Sequence, residues 1–326
     1  MADDKDELIK TLRAEVSDLR TKLNGSIEDL TVPYFASSHA LIPLEDHNAM
    51  PTHGMSARHV KSRIEAMESL DFKPTLNTST YVTVVLEPEE RDVALLGLTT
   101  NIADASVYPA SMKIHDMVVN MLAQLWNCPE PAEKKDYSGA GTVGSTEACL
   151  LAGLALKFRW RKWYAKKFNK TEEEVEGIRP NMVISTCYQA AWEKFFRYFD
   201  VDPKFVVPTT KSKLRIDPKD MIAQCDEKTI GVVAIMGNHY NGAYDPVWEI
   251  SPLLKSLNEA KGYQIGIHVD GASGAFIAPF QEGLPAWDFR LENVLSISAS
   301  GHKFGESICG TGWVGKSQHF FQITRN

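Results

Sequence analysis

Short apolar strands alternate with helices over the second half of the chain, and this alternation limits the fold more than any other feature. The strands are nearly continuous apolar runs, as in IGVVAIM at 230–236. Such strands are buried on both faces, which is typical of a mostly parallel sheet flanked by helices. The sequence therefore predicts an α/β fold. The predicted strands lie within 181–187 and at 230–236, 264–269 and 294–299, and the predicted helices at 148–168, 190–199 and 246–258.

Length and composition set the broad class of the protein. The 326 residues are enough for roughly two domains of about 150 residues each. Hydrophobic residues make up 44% and charged residues 24%, which excludes a disordered or fibrous chain. The net charge of -7 argues against binding to nucleic acid or to an anionic membrane. We expect a helical and loop segment at 1–75 and a large domain at 76–326.

The cysteines and the N-terminus indicate the compartment. Five cysteines are present, an odd number, and no two form a CxxC pair, so neither a disulfide framework nor a metal site is predicted. The N-terminal residues MADDKDELIK are charged and lack the apolar core of a secretory signal. No apolar run approaches the ~18 residues of a membrane span. These features predict a cytoplasmic protein.

The N-terminal segment has helical spacing. Leu12, Val16, Leu19 and Leu23 follow one another at intervals of three or four residues, and the Asn24-Gly25 pair is expected to end the helix. The pattern covers fewer than the three or four heptads that indicate a coiled coil. A solvated surface helix and a helix docked on a partner subunit both fit. Further helices are predicted at 57–69 and 112–125.

The glycine-rich segment at 139–144 matches GxGxxG, the loop of dinucleotide-binding folds. That loop must follow a strand, and KKDYS at 134–138 does not read as one. No acidic residue stands about 20 positions later, where WRKW occupies 160–163. A nicotinamide site is therefore poorly supported. Ser145 and Thr146 open the next helix, where they would either bind phosphate or cap the helix.

Two further residues stand where parallel strands end. Asp270 closes a predicted strand and is followed by GASG, so it lies either in a ligand crevice or in a turn. His268 shares its face of the strand, as a second support or as a core histidine. Lys303 follows the next strand after Gly301, where partial burial would make a neutral amine accessible unless the lysine is simply on the surface.

A phosphate-binding helix start, a buried aspartate and a lysine, in this chain order, are what pyridoxal phosphate requires. The helix start would hold the phosphate. The aspartate would keep the pyridine nitrogen protonated, and the lysine would form a Schiff base. A helix cap, a turn aspartate and a surface lysine are each reasonable alone. All three in one domain are much less probable than a cofactor site.

The chain resembles the pyridoxal-phosphate-dependent group II decarboxylases, and among them the glutamate decarboxylases of bacterial and plant type. HVDGA with SGHKFG is typical of the superfamily, and WEKF with the 76–129 segment narrows the resemblance. It runs from about residue 50 to the end of the chain. The segments that carry it are LNTSTYVTVVLEPE, NIADASVYPASMKIHDMVVNMLAQLWNCP, GTVGSTEACLLAGLALKFRW, NMVISTCYQAAWEKFFRYFDV, DEKTIGVVAIMGNHYNGAYDPV, IHVDGASGAF and SISASGHKFG.

The resemblance implies roles for individual residues around the cofactor. Lys303 matches the Schiff-base lysine, His302 a neighbour that contacts the phosphate, and Asp270 the partner of the pyridine nitrogen. Ala272 matches the residue on one face of the ring, and Gln189 the residue on the other.

The remaining matched positions concern the phosphate and the substrate. Ser145 and Thr146 match the phosphate-binding pair, which is usually Ser-Ser. Thr80, Tyr81 and Asp104 match the residues that recognise the distal carboxylate of glutamate, with Tyr81 in place of the usual Phe.

The resemblance implies a large domain of the fold-type I transferase-like class at 76–326 and a homodimer or dimer-based oligomer. It also implies a carboxy-lyase that converts L-glutamate to 4-aminobutyrate and CO2 through an aldimine at Lys303 and a quinonoid intermediate. Two alternatives stay open. One is another group II decarboxylase, acting on an aromatic amino acid, cysteine sulfinate or aspartate, and the other is a truncated homologue without catalysis.

The sequence departs from the family at two places. His239 occupies a position that usually holds Thr, whose hydroxyl bonds the cofactor, and an imidazole is larger and titrates near neutral pH. The chain also ends at Asn326, where family members continue into a small C-terminal domain with an arginine for the substrate α-carboxylate. We therefore expect a C-terminally truncated member of the family.

Overall fold

A computed structural model describes residues 2–28, 56–73, 76, 78, 85–131 and 137–317 of the chain. The chain divides into two compact units, residues 1–77 and 78–326. The first unit contains helix α1 (Ala2–Glu28) and helix α2 (Ala57–Glu68). Helix α1 continues through Asn24-Gly25, so the predicted end of this helix was wrong. A glycine inside a helix costs only about 1 kcal/mol, which flanking helical residues can offset.

The second unit contains a seven-stranded sheet with helices on both sides. Its helices are α3 (Pro88–Gly97), α4 (Pro109–Leu125), α5 (Gly144–Phe168), α6 (Glu172–Glu176), α7 (Ala190–Tyr198), α8 (Pro218–Ala223), α9 (Val247–Lys261) and α10 (Gly301–Phe304). Its strands are β1 (Ser138–Val143), β2 (Asn181–Ser185), β3 (Asp202–Val206), β4 (Thr229–Ile235), β5 (Gly266–Asp270), β6 (Val294–Ser300) and β7 (Thr311–Lys316).

The strand order is β1-β7-β6-β5-β4-β2-β3. Neighbouring strands from β6 to β3 are parallel, whereas β7 pairs antiparallel with both β6 and β1. This confirms the predicted α/β class with a mostly parallel sheet. Strands β4, β5 and β6 end at the same edge, because Ile235 pairs with Asp270 and Asp270 with Ser298.

The core lies on both faces of the sheet. On β4, Val232 and Ala234 pack with Val247 and Leu254 of α9. The other face of β4 packs against α5 and α7, as the cluster of Val233, Ile235, Leu156, Trp192 and Phe195 illustrates. All seven residues of β4 are buried, as are all seven of β6. Burial on both faces explains the nearly continuous apolar run of β4. In β6, Ser296 and Ser298 alternate with apolar residues, and both serines contact the buried His268.

Three strands were not predicted, and each lacks the apolar run that identified the others. The glycine-rich segment is itself the edge strand β1, not a loop. A Cβ at Gly139 would stand 2.7 Å from the carbonyl oxygen of Val314 in β7. The glycines of β1 therefore permit close packing against β7, which corrects the treatment of this segment as a loop. The other two strands that the sequence did not predict are β3 and β7.

No helix in the described parts of the chain combines the length and the apolar composition that a membrane span requires.

Candidate active site

One cavity of about 190 Å³ opens where β4, β5 and β6 end. Its walls come from the first turn of α5, from the ends of β4 and β5, and from α10. Parallel strands of an open sheet bind ligands at their carboxyl ends, and this cavity lies there. The lining residues are Gly144, Ser145, Thr146, Cys149, Cys187, Gln189, Ala191, Ile235, Gly237, His239, Asp270, Ala272, Ser273, His302 and Lys303.

The first turn of α5 borders this cavity through Gly144, Ser145 and Thr146. The residue before the helix is Val143, which makes no side-chain capping bond, so neither Ser145 nor Thr146 is the N-cap. The capping alternative for these hydroxyls is therefore wrong. Gly312 of β7 packs so closely here that a Cβ would stand 2.7 Å from the backbone nitrogen of Ser145. Ser145 and Thr146 are half-buried and line the cavity, where an anion would meet the positive end of the helix.

Asp270 is the last residue of β5 and is only 5% exposed. The indole Nε1 of Trp192 donates a hydrogen bond to its Oδ2 at 2.8 Å, and the backbone N–H of Ala272 donates to its Oδ1 at 3.2 Å. A buried carboxylate is stable only with such donors. Trp192 lies in the WEKF segment, but sequence reasoning did not assign it a role at the site.

His268 lies beneath Asp270 on the same face of β5 and is fully buried. Its Nδ1 is 2.8 Å from Ser296 Oγ, and its Nε2 is 3.1 Å from Ser298 Oγ. Its ring packs edge-on against Trp192, with centroids 5.2 Å apart. Burial lowers the pKa of His268 to about 4, so the ring is neutral at pH 7. His268 is therefore a hydrogen-bonded core histidine that also supports the Trp192–Asp270 pair. Both alternatives that the sequence left open apply to it.

Lys303 lies in the short helix α10, directly after β6, and is 9% exposed. Its Nζ donates to Ser273 Oγ at 3.4 Å. Burial lowers the pKa of Lys303, and the nearby Asp270 carboxylate opposes this effect. A lysine with a lowered pKa supplies more neutral amine at pH 7. The surface-lysine alternative is wrong for this residue.

The two histidines of the cavity differ in their surroundings. His302 Nδ1 donates to the carbonyl oxygen of Thr311 at 3.1 Å, so Nε2 is the ring nitrogen that can contact a ligand. The His239 ring lies against the Tyr240 ring, with centroids 3.9 Å apart and the ring planes tilted by 38°. Burial lowers the pKa of His239, the Lys303 cation lowers it further, and the Asp270 carboxylate acts in the opposite direction.

Gln189 and Ala272 complete the predicted lining. The Oε1 of Gln189 accepts a hydrogen bond from the Ala191 N–H at 2.7 Å, so Gln189 caps α7 while it faces the cavity. This cap fixes the orientation of the side-chain amide. Ala272 follows Asp270 and is half-buried at the cavity wall.

Asp104, the predicted substrate residue that the structure describes, does not line this cavity. Asp104 is exposed, and its Oδ1 accepts hydrogen bonds from the hydroxyl of Ser106 at 2.6 Å and from its backbone N–H at 2.9 Å. The Ser106 hydroxyl, more than any other group, lowers the pKa of Asp104. Thr80 and Tyr81 lie outside the described residues. The cavity also contains Cys149 and Cys187, which no sequence pattern had marked.

The family model described as "Pyridoxal-dependent decarboxylase conserved domain" matches residues 92–321. The chain belongs to the pyridoxal-dependent decarboxylase family. It is 42% identical over 239 residues to the glutamate decarboxylase of Lactococcus lactis subsp. lactis, which covers 73% of this chain and 50% of that protein. It is 37% identical over 294 residues to glutamate decarboxylase alpha of Listeria monocytogenes, covering 89% and 61%. The predicted family is confirmed.

A solved structure of the glutamate decarboxylase of Lactobacillus brevis superposes with a TM-score of 0.77 at 38% identity, covering 88% of this chain and 64% of that one. The chain thus spans about half to two thirds of the length of the relatives described here.

The cofactor of this family is pyridoxal 5′-phosphate, and the cavity fits it. A buried amine at Lys303 and a buried carboxylate at Asp270 face the same space as the uncapped start of α5. The lysine amine suits the aldehyde of this cofactor, the carboxylate suits its pyridine nitrogen, and the helix start suits its phosphate. The donor set therefore matches the cofactor that the sequence predicted.

We predict a pH dependence of stability from His268. The unfolded chain takes up a proton near pH 6.5, but the folded chain resists it down to about pH 4, so stability is lost as the pH falls between these values. The loss is about 3 kcal/mol by linkage. The free energy of unfolding, measured with urea at a series of pH values, should fall less steeply with decreasing pH for His268→Asn than for the wild type. A Ser298→Ala control keeps the histidine and should keep the pH dependence of the wild type. The same pH dependence for all three proteins would contradict the assignment to His268.

We also predict that pyridoxal phosphate protects one cysteine from alkylation. Cys187 is half-buried in the cavity wall, Cys309 is exposed, and Cys149 is buried with a thiol pKa well above its usual value. N-ethylmaleimide should modify Cys187 at least about tenfold more slowly when the cofactor is present, because the ligand blocks access. Cys309 should react equally fast with and without it, and Cys149 should stay unmodified, as measured by peptide mass spectrometry. Unchanged labelling of Cys187 at saturating cofactor would place the ligand elsewhere.

Proposed function

We propose that the protein is a carboxy-lyase that removes the α-carboxylate of L-glutamate and yields 4-aminobutyrate and CO2. The observation that carries this proposal is the placement of a buried lysine and a buried aspartate in one cavity with the start of α5. The choice of glutamate rests on relatives that are named glutamate decarboxylases. We further propose that residues 76–326 form the cofactor-binding large domain and 1–75 a separate N-terminal segment.

The proposed residue roles follow from the contacts in the cavity. Pyridoxal phosphate, when bound, supplies an electron sink for the bond that loses CO2. Lys303 supplies the amine that holds the cofactor and, after the substrate amine replaces it, moves a proton at the substrate Cα. Asp270 holds a proton at the pyridine nitrogen, and Trp192 and the Ala272 N–H keep its carboxylate in place.

The other roles concern the phosphate and the ring. Ser145, Thr146 and the first N–H groups of α5 bind the phosphate, and His302 contacts it through Nε2, because Nδ1 is engaged with Thr311. Ala272 and Gln189 pack on the two faces of the ring. His239, in its neutral form, takes over the hydrogen bond that a threonine would make.

Glutamate recognition is proposed for Thr80, Tyr81 and Asp104. Asp104 lies in a segment that exposes many large apolar side chains, which is typical of a protein interface. We propose that this surface forms a homodimer. Its exposed members are Val85, Val93, Leu95, Leu96, Leu98, Ile102, Val107, Ile114, Met117 and Met121. A cytoplasmic location is also proposed, since none of the five cysteines, all of which lie in the described part, forms a disulfide.

Replacing Lys303 tests the cofactor site directly. Lys303→Ala should abolish the visible absorbance of lysine-bound pyridoxal phosphate and lower decarboxylation by at least about 10³-fold, since both need this amine. Lys255→Ala is the matched control, because Lys255 is an exposed lysine paired with Glu292 and should leave the spectrum unchanged. Loss of the band in the control alone, or its survival in Lys303→Ala, would disprove the assignment.

A substrate panel tests the reaction. We expect CO2 release from L-glutamate at least about tenfold faster, by kcat/KM, than from L-aspartate, cysteine sulfinate or an aromatic amino acid, because a pocket that pairs one carboxylate rejects shorter or apolar analogues. Faster release from one of these would indicate another group II decarboxylase. A protein that shows the Lys303 absorbance band but releases CO2 from none of them would be a non-catalytic homologue.

A further inference from the structure

Helix α1 exposes a stripe of apolar side chains that the proposed reaction does not use. Ile9, Leu12, Val16 and Leu19 follow one another at intervals of three, four and three residues, and each is between 46% and 62% exposed. Ile9, Leu12 and Val16 line a shallow groove along the helix. An apolar stripe of this width on a helix is buried in most proteins, so a partner surface must cover it.

The residue types along the stripe specify the kind of partner. In a heptad register, Ile9 and Val16 occupy position a, and Leu12 and Leu19 occupy position d. β-branched residues at a with leucine at d favour two parallel strands. The stripe therefore matches a second copy of the same helix.

The charges beside the stripe fit the parallel arrangement. Glu15 occupies position g, and Arg20 occupies position e of the following heptad. In a parallel pair these two residues face each other across the interface, once on each side. An antiparallel pair would instead place e beside e and bring Arg13 of one helix toward Arg20 of the other. Opposite charges in the first arrangement and like charges in the second select the parallel one.

The length of α1 is sufficient for this interaction. The helix has 27 residues, about 40 Å, and it continues through Asn24-Gly25, where the sequence suggested an end. Within this length, the apolar a and d positions run from Ile9 to Leu23, which is about two heptads. The Lys22–Asp18 ion pair, 2.7 Å long, joins positions g and c, one turn apart on the helix. We propose that α1 joins two copies of this chain as a parallel, in-register, two-stranded coiled coil.

Position-specific cross-linking of the full chain tests this proposal. In a Cys309→Ser background, Leu12→Cys or Val16→Cys should each form a disulfide with the same residue of a second chain. Equivalent a or d positions face each other in a parallel pair, so their Cβ atoms come within disulfide distance. Ala14→Cys at the outer position f is the matched control and should form none. Non-reducing electrophoresis and peptide mapping identify each bond.

A charge exchange tests the partner pairing. On the Val16→Cys protein, Glu15→Arg should slow disulfide formation roughly tenfold, because it replaces two attractive pairs with two repulsive ones. Adding Arg20→Glu should restore the rate to within about twofold. A homodimer formed only through the large domain would not respond in this way.

Three results would overturn the proposal. Equal cross-linking at Ala14→Cys and Val16→Cys would indicate nonspecific association. Cross-linking only in a mixture of Leu12→Cys and Val16→Cys chains would indicate an antiparallel pair. No interchain disulfide at either position would show that α1 is covered by something other than a second α1.

Discussion

The hydrogen bond from Trp192 to the buried carboxylate of Asp270 holds the site together. A carboxylate that is 5% exposed is costly unless it accepts strong hydrogen bonds, and the 2.8 Å bond from the indole Nε1 supplies one. The indole is itself held by the edge of the His268 ring, which in turn is bonded to Ser296 and Ser298 of β6. The position of Asp270 is therefore tied to both α7 and β6. Loosening any of these contacts would displace the charge on which the proposed chemistry depends.

The topology of the sheet places the other groups around this carboxylate. Parallel β4, β5 and β6 deliver Ile235, Asp270 and Lys303 to one edge. The reversed strand β7 passes beside the start of α5, where Gly312 leaves room for the first turn. The cavity thus has a cation-accepting wall at β5 and an anion-accepting wall at α5. This polarity suits a ligand with a pyridine nitrogen at one end and a phosphate at the other.

Sequence patterns located most of the cavity but described parts of it wrongly. Asp270 and Lys303 are predicted because one stands at the end of a strand and the other just after the next strand. The sequence predicts a loop for the glycine-rich segment, since Gly139, Ala140 and Gly141 provide no run of strand-forming residues. Its glycines make sense only beside β7, because the nearest obstacle to a Cβ at Gly139 is the backbone of Val314, far away in sequence. The role of Trp192 likewise depends on a distant residue, because Asp270, which accepts its hydrogen bond, lies 78 positions later.

The sequence by itself determined the α/β class, the edge of the sheet that carries the site, and the residue types that bind pyridoxal phosphate. These follow from local periodicity and from short motifs, which need no knowledge of distant contacts. Only the tertiary structure decided that Lys303 is buried with a lowered pKa, that Ser145 and Thr146 are not caps, and that Asp104 stays outside the cavity. Burial and hydrogen-bond partners depend on which remote segments pack together, and a linear pattern does not contain that information.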